Sequence, residues 1–186
     1  MKVEISRRAL ITGAAAMLSG CGVGDRVTSV RQGLLFYVVN ERMLMRGRVI
    51  GRTPAALNAV LAQNPQVSTL VFQEMQAAHD SDAVREMGYD IRTRGLATEV
   101  QSDSVLAGAS VDLFIAGAAR RMVAEAEIGV GGAASYARRL YLAQMLGSDA
   151  FYEFALRAAP AGGIHLLTQT EIERYGLLTE PIIRLE

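Results

Sequence analysis

Apolar residues follow two rhythms along this chain, short runs of strand period and longer stretches of helical period, and the two alternate. Leu34 to Val39 and Met43 to Val49 are apolar, partly β-branched runs separated by Asn40-Glu41, the pattern of a hairpin. Thr53-Pro54 then supplies an N-cap and a first-turn proline for a helix that presents Leu57, Val60 and Leu61 and stops before Asn64-Pro65. Val67 to Phe72 is the next strand. Asp80-Ser81-Asp82 starts a second helix with Val84, Met87 and Ile91 on one face, ending at Gly95.

Beyond Gly95 the alternation continues. Ala97 to Val100 reads as a strand, Ala107 to Arg120 as a buried helix of small and apolar residues, and Glu127 to Val130 as a short strand entering a Gly- and Ala-rich turn. Tyr136 to Leu146 is a helix closed by Gly147, and Ser148 opens another over Asp149 to Ala158. Thr168-Gln169-Thr170-Glu171 has the spacing of a capping box, and Gly176 ends that short helix before Leu177 to Leu185. The expected class is α/β with largely parallel pairing.

Composition narrows the picture. A chain of 186 residues suits one domain, and 51% apolar against 20% charged residues excludes intrinsic disorder. Lys+Arg and Asp+Glu both number 19, which excludes a general nucleic-acid binder that works by releasing counterions. Eighteen of the 19 cations are Arg, and the single Lys is Lys2. That asymmetry directs attention to the N-terminus.

Lys2, Arg7 and Arg8 make a basic start, and Ala9 to Leu18 an apolar run of ten residues, too short for the roughly 20 that a membrane-spanning helix needs. Leu18-Ser19-Gly20-Cys21 resembles the lipobox of bacterial lipoproteins, in which the cysteine is lipidated, and Ser6 to Leu10 looks like a twin-arginine export signal. Residues 1–20 are therefore read as a lipoprotein-type signal peptide, 21–33 as a tether and 34–186 as the folded domain. A leader cleaved elsewhere, or a buried N-terminal helix with an incidental Cys21, are the other readings of the same residues. Cys21 is the only cysteine, so no disulfide forms within the chain. Without Lys2, Arg7, Arg8 and Glu4, the remainder carries 16 cations and 18 anions, a net charge of −2. The anchored reading places the protein outside the cytoplasmic membrane, at the periplasmic side or cell exterior.

Candidate chemistry is sparse. His79 and His165 are the only histidines, so a zinc site of Cys and His ligands is out of reach without carboxylates, and no metal or cofactor is expected. His79-Asp80-Ser81-Asp82 reads as a helix start, where Asp and Ser satisfy free N–H groups, and His165, among Ile164, Leu166 and Leu167, as a partly buried, satisfied histidine. Asp112 inside an apolar helix needs a partner, expected at Arg120 or Arg121.

The stretch from Leu70 to Gly131 carries a further signal: a strand, a helix ending at Arg94-Gly95, a strand, Ala107 to Gly117 with its Ala116-Gly117 ending, then Ala126-Glu127-Ile128-Gly129-Val130-Gly131. This order resembles the Clp-protease/crotonase superfamily, in particular small exported bacterial proteins similar to the proteolytic subunit of Clp protease. Glu171 through Thr179 looks like their Glu-x-x-x-Tyr-Gly-Leu-x-Thr ending. The resemblance spans Leu34 to Thr179 and implies a superhelix of β-β-α units, self-association into a homo-oligomer, and a serine hydrolase site. It places the nucleophile at Gly108, the histidine at Gly131 and the oxyanion loop at Ala77-Ala78, within Gln73 to Ala78, where glycines are absent.

Two functional classes follow. In the first, a catalytically inactive relative acts by binding a peptide or protein partner or as a scaffold. In the second, a rearranged hydrolase uses Ser110 as nucleophile and His79 as base, with a third member that the sequence does not name. A crotonase activity, which needs acyl-CoA, conflicts with export. On this register, Gly108→Ser with Gly131→His is expected to bring a serine and a histidine together.

Overall fold

The computed structural model describes residues 27–29, 33–76, 78, 80–159 and 162–184. Cys21 and the leader lie outside the described residues, as do Ala77 and His79.

The expected hairpin is present as β2 (Leu34–Val39) and β3 (Arg42–Gly47), with Asn40 at the turn in the left-handed region that Asn tolerates. Ahead of it, Val27–Ser29 forms β1, antiparallel to β2, inside the stretch read as a tether. Three residues are too few for an alternating pattern to register in sequence. Helix α1 (Thr53–Gln63) begins one residue earlier than expected: Thr53 is its first residue, and its Oγ1 accepts from the Ile50 N–H. β4 (Thr69–Met75), α2 (Ser81–Thr93) and β5 (Ala97–Val100) follow, and the Asp80 side chain caps α2 by accepting from the Asp82 and Ala83 N–H groups.

The single helix expected over Ala107 to Arg120 is three elements. β6 (Val105–Ala107) and β7 (Arg120–Met122) flank a short buried helix, α3 (Ala109–Ile115). Strands of three residues are too short for an alternating pattern to register, and the unbroken burial of Ser110 to Gly117 between them hides the helix period. β8 (Glu127–Val130), α4 (Tyr136–Leu146), α5 (Ala150–Ala158), β9 (His165–Leu166) and α6 (Gln169–Arg174) complete the order. Thr168 and Glu171 form the capping box reciprocally.

Two sheets result. The larger runs β1-β2-β3-β4-β5-β7, antiparallel through β3 and parallel from β3 to β7, and the smaller runs β6-β8-β9. β6 and β8 are parallel, β8 and β9 antiparallel. Leu34, Phe36, Met43, Met45, Leu70 and Phe72 point from the large sheet into one core with Leu57, Met87, Ile91, Phe114 and Tyr141 from the helices. The chain from Thr179 to Ile183 lies along β7, where the Thr179 N–H donates to Arg120 O and the Ile183 N–H to Met122 O. No described helix is long and apolar enough to cross a membrane.

Candidate functional site

A cleft of about 320 Å³ opens between the N-terminal ends of α2 and α3 and the segment after β8. Gly108 and Gly131, the two positions that the resemblance assigns to nucleophile and base, both line it. Gly108 immediately precedes α3 with φ 61° and ψ −131°, a backbone conformation that L side chains rarely adopt, and a Cβ built there meets nothing within 4 Å. Space exists there for a side chain that the sequence does not supply.

Gly131 is the reverse case. A Cβ at 131 would stand 2.6 Å from the Gly163 carbonyl oxygen and 3.7 Å from Ile164 Cα. At Gly129 it would stand 2.5 Å from Ile164 Cγ2. The chain from Gly163 into β9 packs directly on β8, in the space an imidazole at 131 would occupy. The expectation that Gly108→Ser with Gly131→His unites a serine and a histidine is therefore corrected: backbone already fills one of the two places.

The cleft wall is instead built on a buried ion pair. Arg138, in the first turn of α4, donates from Nε to Asp112 Oδ2 at 2.8 Å and from Nη2 to Oδ1 at 3.0 Å, while its Nη1 donates to Gly131 O at 3.3 Å. The side chains of Asp112 and Arg138 are only 4% and 12% exposed. Burial pushes the Asp112 carboxyl up, and the guanidinium only partly draws it back. Burial by itself would lower the Arg138 guanidinium, but the facing carboxylate holds it above its ordinary value. Tyr141 Oη donates to Asp112 O at 2.7 Å, which fixes α4 against α3. Its phenol is raised by burial.

Asp112 does not meet Arg120 or Arg121. Arg120 donates to three carbonyls, Leu177 O at 2.8 Å, Gly176 O at 3.0 Å and Gly117 O at 3.1 Å, and burial lowers its guanidinium. Arg121 Nε bonds Glu180 Oε2 at 2.7 Å, which raises its own guanidinium and lowers Glu180. Arg138 carries no local signal as the partner, since it lies 26 residues from Asp112 and beside another arginine.

Ser110 is fully buried and does not line the cleft. Its Oγ faces Gln76 O at 3.5 Å. His79, its expected base, lies outside the described residues, as does Ala77 of the oxyanion-loop equivalent, whereas Ala78 is half-buried against the core. His165 is partly exposed, with Nε2 3.1 Å from both Glu171 carboxylate oxygens and its ring edge-on to Phe154 at 5.8 Å. Among the described residues, no group of three His, Cys, Asp or Glu stands together as a metal site.

No family model matches the chain, and no curated protein matches its sequence. Solved structures do. An enoyl-CoA hydratase from Geobacillus kaustophilus HTA426 aligns over 86% of this chain and 71% of its own, at 15% identity and a TM-score of 0.56. A ClpP1 mutant from Listeria monocytogenes aligns over 79% and 93%, at 15% identity and a TM-score of 0.57. A mutant of the 1510-N membrane-bound stomatin-specific protease aligns over 76% and 77%, at 14% identity and a TM-score of 0.53. Crotonase-type and ClpP-type structures thus share the path of this backbone, and the chain has the Clp-protease/crotonase fold.

Proposed function

We propose that this protein is exported, held at the cell envelope by lipid on Cys21, and uses its Clp-protease-like fold to bind rather than to cut. The observation that carries the reading is the cleft itself. Gly108 and Gly131 bring no hydroxyl and no imidazole to it, and the Gly163 carbonyl stands where a side chain at 131 would begin. A nucleophile needs a base within about 2.6–3.2 Å. The described walls of this cleft offer serines at Ser81 and Ser135, but Ser135 caps α4 by accepting from the Arg138 N–H, and Ser81 begins α2 with no imidazole on the described lining.

Binding suits what remains. Gly132 to Ala134 are exposed on the cleft lining and carry side chains no larger than a methyl group, which lets an extended peptide or a protein loop approach their backbone. The resemblance also implies self-association, and we read the protein as a homo-oligomer at the membrane surface.

A fluorophosphonate probe for activated serines tests the reading. The expected result is no specific labelling of the full-length protein; labelling that disappears in Ser110→Ala would establish the rearranged hydrolase instead. Cys21→Ser is expected to move the protein from the membrane fraction to the soluble fraction. Recovery of the unaltered protein in the soluble fraction would remove the anchor.

A further inference from the structure

The charge of this chain is divided along its length. Residues 22–52 contain six arginines against Asp25 and Glu41, a net charge of +4, whereas residues 53–186 contain ten arginines against sixteen carboxylates, a net charge of −6. The basic part is the part that follows Cys21 and builds β1, β2 and β3. In β2 and β3 one face is the core face of Leu34, Phe36, Met43 and Met45. The opposite face carries Leu35, Tyr37, Val39 and Leu44, and strand register sets Leu35 across from Arg46, Tyr37 across from Leu44 and Val39 across from Arg42. Leu35 is 40% exposed, a large apolar side chain turned outward beside arginines. Among the described residues, the helices join the cluster on the core face; on the outer face Val71, beside Leu44, is buried, and the exposed apolar position is Leu35 toward β1.

We propose that this face of the β2–β3 hairpin lies on the surface of an anionic phospholipid bilayer. The inference rests on the lipid anchor proposed above for its geometry and has independent support in charge. From Cys21 to Val27 the chain reaches at most about 21 Å when fully extended. A lipid on Cys21 therefore keeps Val27, and Tyr37 paired with it, near the headgroups, with Leu35 opposite Ser29 two residues further along. Apolar and tyrosine side chains rimmed by arginines match the interface, where rings and aliphatic groups enter the headgroup layer and guanidinium groups meet phosphate. Arg42 is bonded to Glu99 at 2.5 Å. Arg46 is paired with Glu74 in a bridge whose side chains are 58% and 63% exposed, a bridge weak enough for phosphate to compete with. The net −6 of the remainder turns the rest of the molecule away from the same surface.

The chain contains no Trp, so one introduced Trp reports its own surroundings. Leu35→Trp in the full-length lipidated protein, reconstituted into phosphatidylglycerol vesicles with brominated acyl chains, is expected to show blue-shifted and at least twofold quenched emission. Tyr136→Trp, on α4 in the helical layer, is expected to remain unquenched. Arg46→Glu in the Leu35→Trp background should restore the emission while the protein stays with the vesicles. If the protein sediments with vesicles and the Trp at 35 is unquenched, the docking face is wrong and the anchor stands. If the protein does not sediment with neutral vesicles, the anchor fails; quenching at 35 on phosphatidylglycerol vesicles then still supports the face, and its absence overturns it. A blue shift that grows with protein concentration without lipid assigns the face to a second copy of the chain and overturns the proposal.

Discussion

A side chain at position 108 and one at position 131 would meet opposite surroundings, although both positions belong to one cleft. At 108 the obstacle is only the backbone: the positive φ costs an L residue about 1–2 kcal/mol, and the volume beyond is empty. At 131 the obstacle is the Gly163 carbonyl, which cannot move without dragging β9. Gly108→Ser is therefore expected to lower stability by about 1–2 kcal/mol and Gly131→His by about 3 kcal/mol, measured by denaturant unfolding. The double variant should still fail to label with a fluorophosphonate. Strong labelling would show that the Gly163 segment gives way and that the missing side chains alone silence the cleft.

Among the elements, β9 and α6 meet at one carboxylate. Glu171 Oε2 accepts from the Thr168 N–H at 2.8 Å and from Thr168 Oγ1 at 2.9 Å, and both its oxygens face His165 Nε2. These bonds, the Thr168 backbone bond first, hold its carboxyl below the ordinary 4.5. A depressed carboxyl stabilises the fold above its unfolded value and loses that contribution as pH falls through its folded value. The melting temperature should accordingly drop as pH is lowered below about 4.5. Glu171→Gln keeps a residue that can close the capping box but cannot ionise, so its curve should lie below the wild type at neutral pH and converge with it in acid. Thermal scans between pH 3 and 7 check this, and a constant gap between the curves would remove Glu171 from the acid response. The capping box is local, four residues in a row, and was for that reason legible in the sequence. The split of Ala107 to Arg120 into strand, helix and strand was not, because the strands are three residues each and the helix between them is buried on nearly every side.

For the molecule as a whole, Arg120 ties the middle of the chain to its C-terminal segment. Its guanidinium joins the turn after α3 to Gly176 and Leu177, and the following residues then cover the β7 edge. Arg120→Met preserves the apolar stem but leaves buried carbonyls without a donor, which should cost about 3 kcal/mol. Hydrogen exchange should rise first in residues 176–183, ahead of the β4 and β5 core. Uniform acceleration across the chain would mean that Arg120 acts through global stability and not as a clasp for the C-terminal segment. An exposed β7 edge is also an invitation to strand addition, so aggregation is expected to accompany the variant.

The sequence by itself determined most of the alternating strands and helices, though not β1, β6 or β7, together with the α/β class and the resemblance to the Clp-protease/crotonase fold, because strand and helix periods, caps and glycine stops act over a few neighbouring residues. It also determined which side chains are missing at 108 and 131. Only the tertiary structure decided what replaced them. The partner of Asp112 is Arg138 and not Arg120 or Arg121, Ser110 turns into the core, and a carbonyl from Gly163 closes over Gly131. Each of these contacts joins residues between 26 and 34 positions apart, where the choice among many arginines and carbonyls is made by the packing of helices on a sheet and not by any local pattern.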